Sequence, residues 1–181
     1  MTLGERFRRW RATRGYGVHS PLAFRLLGRV VRPSRNVVYY GEEKLQLSDE
    51  PYSMIKRARL LLRLVAELEP SYVWTSPDLP ELFTEAIRLA GGVIRIYDGG
   101  LFPDEMKKGD LIVTANYRLK KADLRKIMVA GKSIIAFDVK PNFKKWIREL
   151  LKGGVSLDAV ESIIAVNTSD PESHNYYISS L

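Results

Sequence analysis

The chain has 181 residues, of which 45% are hydrophobic and 28% charged, a composition that excludes extended disorder and suits one domain with a full core. It contains no cysteine, which excludes disulfides and thiolate metal sites, and no apolar run approaches the roughly 18 residues of a membrane span. The net charge of +8 is localised: residues 1–35 carry nine arginines, no lysine and one acid, Glu5, whereas residues 36–181 hold 20 basic and 20 acidic side chains.

In chain order, Thr2 and Glu5 have capping-box spacing and predict a helix from Leu3. Leu3, Phe7 and Trp10 form a narrow apolar stripe on it, with Phe7 and Trp10 expected to be at least half buried, while Arg6, Arg8, Arg9, Arg11 and Arg14 fill the remaining surface and are expected to be mostly exposed. Gly15-Tyr16-Gly17 stops this helix, and Ser20 caps a second one with Pro21 at its first position. Leu22, Leu26, Leu27, Val30 and Val31 face inward, and Pro33 ends the run. A polar stretch reaches Asp49, and a third helix runs from about Pro51 to Leu68.

After Pro70 strands and helices alternate. Strands are expected at 72–75, 93–97, 111–114 and 134–137, and helices at 81–90, 121–129 and 143–151. Gly153-Gly154 reads as the end of the last helix, and Ile163–Val166 and Tyr176–Ser179 as a closing antiparallel pair. Short strands alternating with helices of about ten residues imply βαβ units and a parallel sheet. The expected architecture is therefore a helical extension over residues 1–68, with its basic arm at 1–35, joined to a Rossmann-like α/β domain over 69–181 in one compact unit. The closing pair without a helix between its strands gives this sheet the class I methyltransferase arrangement.

Gly17-Val18-His19-Ser20-Pro21-Leu22-Ala23-Phe24 resembles the G-[VI]-H-S-P-F-x-[FY] opening of a family of bacterial SAM-dependent methyltransferase-like proteins common among Bacteroidetes. The similarity continues at Tyr39-Tyr40, Arg59–Val65, Gly109–Val113, Ser133–Asp138 and Trp146. It implies strand order 2-1-4-5-7-6, with the third of the usual seven strands missing because little chain separates Asp98 from Asp110. It also implies a SAM site, and there the chain departs from the family. An ungapped reading puts Thr75 at the acid that ends the first strand, and Pro77 and Glu81 at the two glycines of the cofactor loop. Proline removes a donor, and glutamate fills space a ligand needs. The D-G-N-H motif becomes Thr114-Ala115-Asn116-Tyr117, and a pair of aspartates becomes Asp138-Val139.

Asp98 and Ser76 are the candidate cofactor contacts, Asp98 for the ribose hydroxyls, although Asp98-Gly99-Gly100 equally reads as a turn. Asp138 either touches a ligand at the carboxyl edge of the sheet or caps the next turn. His19 reads as a packing residue, and with His174 the only other histidine, neither a histidine-rich metal site nor a Ser/His/Asp set is available, so no metal or catalytic residue is assigned. The arginines at 6, 8, 9, 11 and 14 suit nucleic acid or another anion, or else form the solvated face of a helix that docks on the domain or on a partner.

Three functions stay open. One is a non-catalytic methyltransferase-like protein in a binding or scaffolding role, needing no cofactor, with a protein partner or a second copy engaged through the N-terminal helices. Another is an active SAM-dependent methyltransferase with an atypical site. The last is a nucleic-acid or anion-binding module built on the arginine helix. The absence of cysteine, and of an apolar segment after Arg14, leads us to expect the cytoplasm.

Overall fold

A computed structural model describes residues 2–15, 17–34, 37–77, 79–96, 106–115, 120–168 and 172–179. Seven strands form one mixed, mostly parallel sheet: β1 (Val73–Thr75), β2 (Ile94–Ile96), β3 (Leu111–Ala115), β4 (Ser133–Phe137), β5 (Gly154–Asp158), β6 (Ile163–Asn167) and β7 (Ser173–Tyr177), in the order β2-β1-β3-β4-β6-β5-β7. The helices are α1 (Leu3–Thr13), α2 (Pro21–Arg25, continuing as a wider π-turn over Leu26–Val31), α3 (Glu42–Gln46), α4 (Tyr52–Leu68), α5 (Glu81–Leu89), α6 (Lys121–Val129) and α7 (Pro141–Leu150). This is a Rossmann-like α/β architecture. No helix among the described residues is long and apolar enough to cross a membrane.

Side chains alternate across each strand, so every central strand feeds two cores. Leu111, Val113, Ile135, Phe137, Val155 and Leu157 point to one face, where α2, its π-turn, α4 and α5 cover them. Ile112, Ile134, Ala136, Ile163 and Ala165 point to the other face, beneath α6 and α7. β3, β4, β5 and β6 are almost wholly buried for this reason, whereas β2 and β7 are partly exposed edges.

The closing part of the sheet differs from the sequence expectation. Gly154 opens a strand instead of ending a helix, and β5 lies between β6 and β7. β6 runs antiparallel to both β4 and β5, and the last strand pairs in parallel with β5. The antiparallel member is thus internal, and Ile163–Asn167 and Ser173–Tyr177 are not paired with each other. Residues 97–105, where the missing third strand is expected, lie outside the described residues.

The N-terminal stripe is the other correction. Leu3 is 82% exposed, Phe7 57% and Trp10 40%, so only Trp10 reaches half burial. The helix docks instead through Arg9 and Thr13. The Arg9 guanidinium donates to the carbonyls of Asp158 and Ile178, at 3.3 and 3.2 Å, and lies 5.3 Å from the Tyr177 ring centre. Thr13 Oγ1 donates to the Arg9 carbonyl and accepts from the Ser179 amide at 2.8 Å. Arg9 adds a second bond to the Asp158 carbonyl, which also accepts the Ile178 amide at 2.9 Å, and gives the Ile178 carbonyl a donor, a pairing that an apolar side chain could not supply.

Candidate functional site

In an open α/β sheet, ligands bind at the carboxyl ends of the strands, where the winding reverses. Here the chain moves outward from β1 to β2 and then crosses back to β3 on the other side of β1, so the crevice falls between the ends of β1 and β3. Thr75, at the end of β1, is buried. The next residue, Ser76, is half buried, and its carbonyl accepts the Leu79 amide at 3.2 Å, which closes a tight turn. Leu79 drops from that turn into the core beside α5 and is 9% exposed. Pro80 then caps α5, and Glu81 stands exposed in the first turn of that helix. The stretch carries an apolar side chain inward where a ligand loop would present backbone N–H groups. Asp98, Asp78, and Asn116 with Tyr117 lie outside the described residues.

Asp138 follows β4 at the same edge and adopts a left-handed backbone, φ 54°. Its carboxylate is engaged in a two-bond ion pair. Arg57, from α4, donates two bonds of 2.7 Å to its carboxylate and reaches Glu161 at 3.4 Å. Arg57 also lies 5.8 Å from the Phe137 ring centre. Ser76 and Asp138 share the carboxyl edge of the sheet, and the Asp138 carboxylate is taken by Arg57.

The motif that carries the resemblance has a structural role. Ser20 Oγ accepts from the Ala23 amide to cap α2, and the Ser20 amide donates to Tyr176 Oη at 3.1 Å, tying the helical layer to β7. His19 is exposed. Among the described residues, no group of three or more histidine, aspartate and glutamate side chains is placed to hold a metal ion.

Two polar clusters escaped the sequence reading. On α4, Arg59 and Arg63 both clasp Glu42 of α3, with Arg59 Nη2 at 2.7 Å and Arg63 Nη2 at 3.0 Å from Oε2. Burial pushes the Glu42 carboxyl up, but the guanidinium groups of Arg63 and Arg59 outweigh it and hold the carboxyl below the usual range. At the amino edge of the sheet, fully buried Asp110 accepts from Trp74 Nε1 at 2.9 Å and the Lys107 amide at 2.8 Å. Burial lowers the Lys132 ammonium, partly opposed by the nearby Asp110 carboxylate. Both clusters join residues far apart in sequence, and their only signal was charge inside otherwise apolar elements.

Of the α1 arginines, Arg9 is committed to the fold, whereas Arg6, Arg8, Arg11 and Arg14 are exposed. Replacing Arg9 with alanine removes the donor to the Ile178 carbonyl and the second bond to the Asp158 carbonyl, and is expected to cost about 1–2 kcal/mol. Because the loss falls at one helix, hydrogen exchange of the α1 amides should accelerate before that of β3 or β4.

Together the fold and these sites define a Rossmann-like α/β protein with a closed turn after β1 and an arginine-rich helix at the far edge of the sheet. No family model matches the chain, and no curated protein matches it. Among solved structures it is similar to an aromatic amino acid aminotransferase with 3-indolebutyric acid, at a TM-score of 0.40 and 15% identity. That match covers 90% of this chain and 55% of the aminotransferase chain, so this chain spans little more than half the length of that protein.

Proposed function

We propose that this chain is a methyltransferase-like protein with an eroded SAM site, acting by binding or scaffolding without catalysis. The observation that carries this reading is the turn Ser76–Leu79. A working cofactor loop keeps its backbone close to the ligand, which glycine allows. Here Leu79 is packed in the core and the Ser76 carbonyl is spent on the turn itself. Pro77 and Pro80 have no backbone N–H to offer.

The sheet order supports the class. β2-β1-β3-β4 follow the 2-1-4-5 part of the order expected from the resemblance, and Ile163–Asn167 lies antiparallel beside β4, whereas the last strand, Ser173–Tyr177, lies beyond β5 at the far edge. The same winding favours a second reading, an active methyltransferase with an atypical site, because the reversal between β1 and β3 is where such a site would lie.

A thermal shift separates the two. Each lost backbone hydrogen bond to the ligand removes about 1 kcal/mol, and about 1.4 kcal/mol is tenfold in affinity. Millimolar SAM, or its demethylated product, is expected to leave the melting temperature unchanged. A clear saturable rise would favour the enzyme.

A further inference from the structure

The outward face of α1 joins exposed apolar and cationic groups. Leu3, Phe7 and Trp10 line one wall of an open groove of about 810 Å³, and Val160, 54% exposed, lines the other. Helical spacing places Arg6 on one flank of the stripe and Arg11 on the other, with Arg14 continuing its end. α1 and its cap Arg14 carry five arginines against one acid, Glu5, whereas residues 36–181 balance. A second copy offers no surplus of acid to match it, so the complementary surface is an external polyanion. The choice of arginine at all nine basic positions of residues 1–35 favours phosphate, which the guanidinium fork binds bidentately.

Nucleic acid and phospholipid both present phosphate, and the aromatic geometry separates them. Binding a single strand uses free ring faces for base stacking. Phe7 stacks on Trp10 at 5.7 Å with 19° between the planes, and the Arg14 guanidinium sits 4.4 Å from the Trp10 ring centre. Spacing of three residues back and four ahead puts Phe7 and Arg14 on opposite sides of Trp10 along the helix. Its faces are therefore occupied. The most exposed anchors are Leu3, Phe7, one face of which is taken by Trp10, and Val160, which suits insertion among acyl chains.

We propose that α1 and the turn at Val160 form a docking face for bilayers rich in anionic phospholipid. Leu3, Phe7 and Val160 enter the boundary between headgroups and acyl chains, Trp10 lies at headgroup level, and Arg6, Arg11 and Arg14 hold lipid phosphates. This is reversible surface binding, and it stands independently of the eroded-site reading because it uses none of the residues at Ser76–Leu79.

The full chain should be sedimented with sucrose-loaded vesicles of phosphatidylcholine alone, and of two parts phosphatidylcholine to one part phosphatidylglycerol. It is expected to pellet with the mixed vesicles, to stay in solution with the neutral ones, and to be released by salt. The double variant Leu3→Glu/Phe7→Glu changes two exposed side chains and should melt like the parent. Its partition onto mixed vesicles should fall by about tenfold or more, the loss of roughly one well-buried apolar side chain. Arg6→Gln/Arg14→Gln should also weaken binding, again with unchanged melting. Three results would overturn the proposal: no partition, equal partition onto both vesicle types, or full partition by the Leu3→Glu/Phe7→Glu variant. Oligothymidylate bound more tightly than the mixed vesicles, and equally well by that variant, would assign the face to nucleic acid instead.

Discussion

Gly154→Ala is expected to destabilise the protein by about 4 kcal/mol or more, a loss in the range reserved for a specific structural conflict. Gly154 opens β5 at φ 117°, a conformation that side chains of L-residues rarely adopt. A Cβ built there would sit 2.1 Å from the Val166 carbonyl oxygen and 3.0 Å from the Thr168 amide nitrogen. Both are backbone atoms of the neighbouring strand, where Gly154 pairs with Asn167, so neither can move without breaking the register between β5 and β6. Backbone strain alone accounts for about 1–3 kcal/mol, and the clash adds to it. Gly4→Ala is the matching control. Nothing lies within 4 Å of its Cβ and the site is helical, so alanine should stabilise by up to about 1 kcal/mol. Urea unfolding of the two variants reads the contrast directly.

The second large effect is expected at Asp158, the last residue of β5. Its carboxylate is almost fully buried and accepts Lys144 Nζ at 2.7 Å as well as Arg148 Nη1. Lys144 also donates to the Ala159 and Val160 carbonyls, at 2.5 and 3.1 Å, which holds α7 on the turn between β5 and β6. Removing one partner of a buried pair leaves the other charge uncompensated, so Asp158→Ala should cost about 3–5 kcal/mol. Replacing Lys144 as well by an apolar residue of similar size, as in Lys144→Met/Asp158→Leu, should recover part of that loss, since the remaining partner, Arg148, is partly exposed to water. Unfolding of the two single variants and the double variant checks this, and a double variant no more stable than the worse single one would contradict it.

Much of this architecture follows from local rules. The capping box at Thr2 and Glu5 is present: the Glu5 amide donates to Thr2 Oγ1 at 3.2 Å and the Thr2 amide to the Glu5 carboxylate at 2.6 Å. The helix at Lys121–Val129 has the limits its pattern predicts. The failures have identifiable causes. Val155-Ser156-Leu157-Asp158 is short and follows two glycines that read as a helix stop, so a local reading assigns it no element; its strand character comes from lying between β6 and β7. The apolar stripe of α1 misled in the opposite way. Periodicity registers hydrophobic side chains, but the docking of this helix is decided by carbonyl acceptors on Asp158 and Ile178, more than 140 residues away. Asp138 likewise has a partner, Arg57, 81 positions distant. In the candidate site the departures at Pro77 and Glu81 are legible without reference to any distant residue, because proline and glutamate conflict with the chemistry of a glycine ligand loop, whereas the burial of Leu79 has no such local signal.

Calorimetric titration of the full chain with SAM tests the eroded site most directly. The closed turn after β1 predicts no saturable heat at submillimolar ligand, for the parent and for Asp98→Ala alike. A micromolar dissociation constant, lost on Asp98→Ala in a protein that still melts normally, would contradict this reading and identify a working cofactor site.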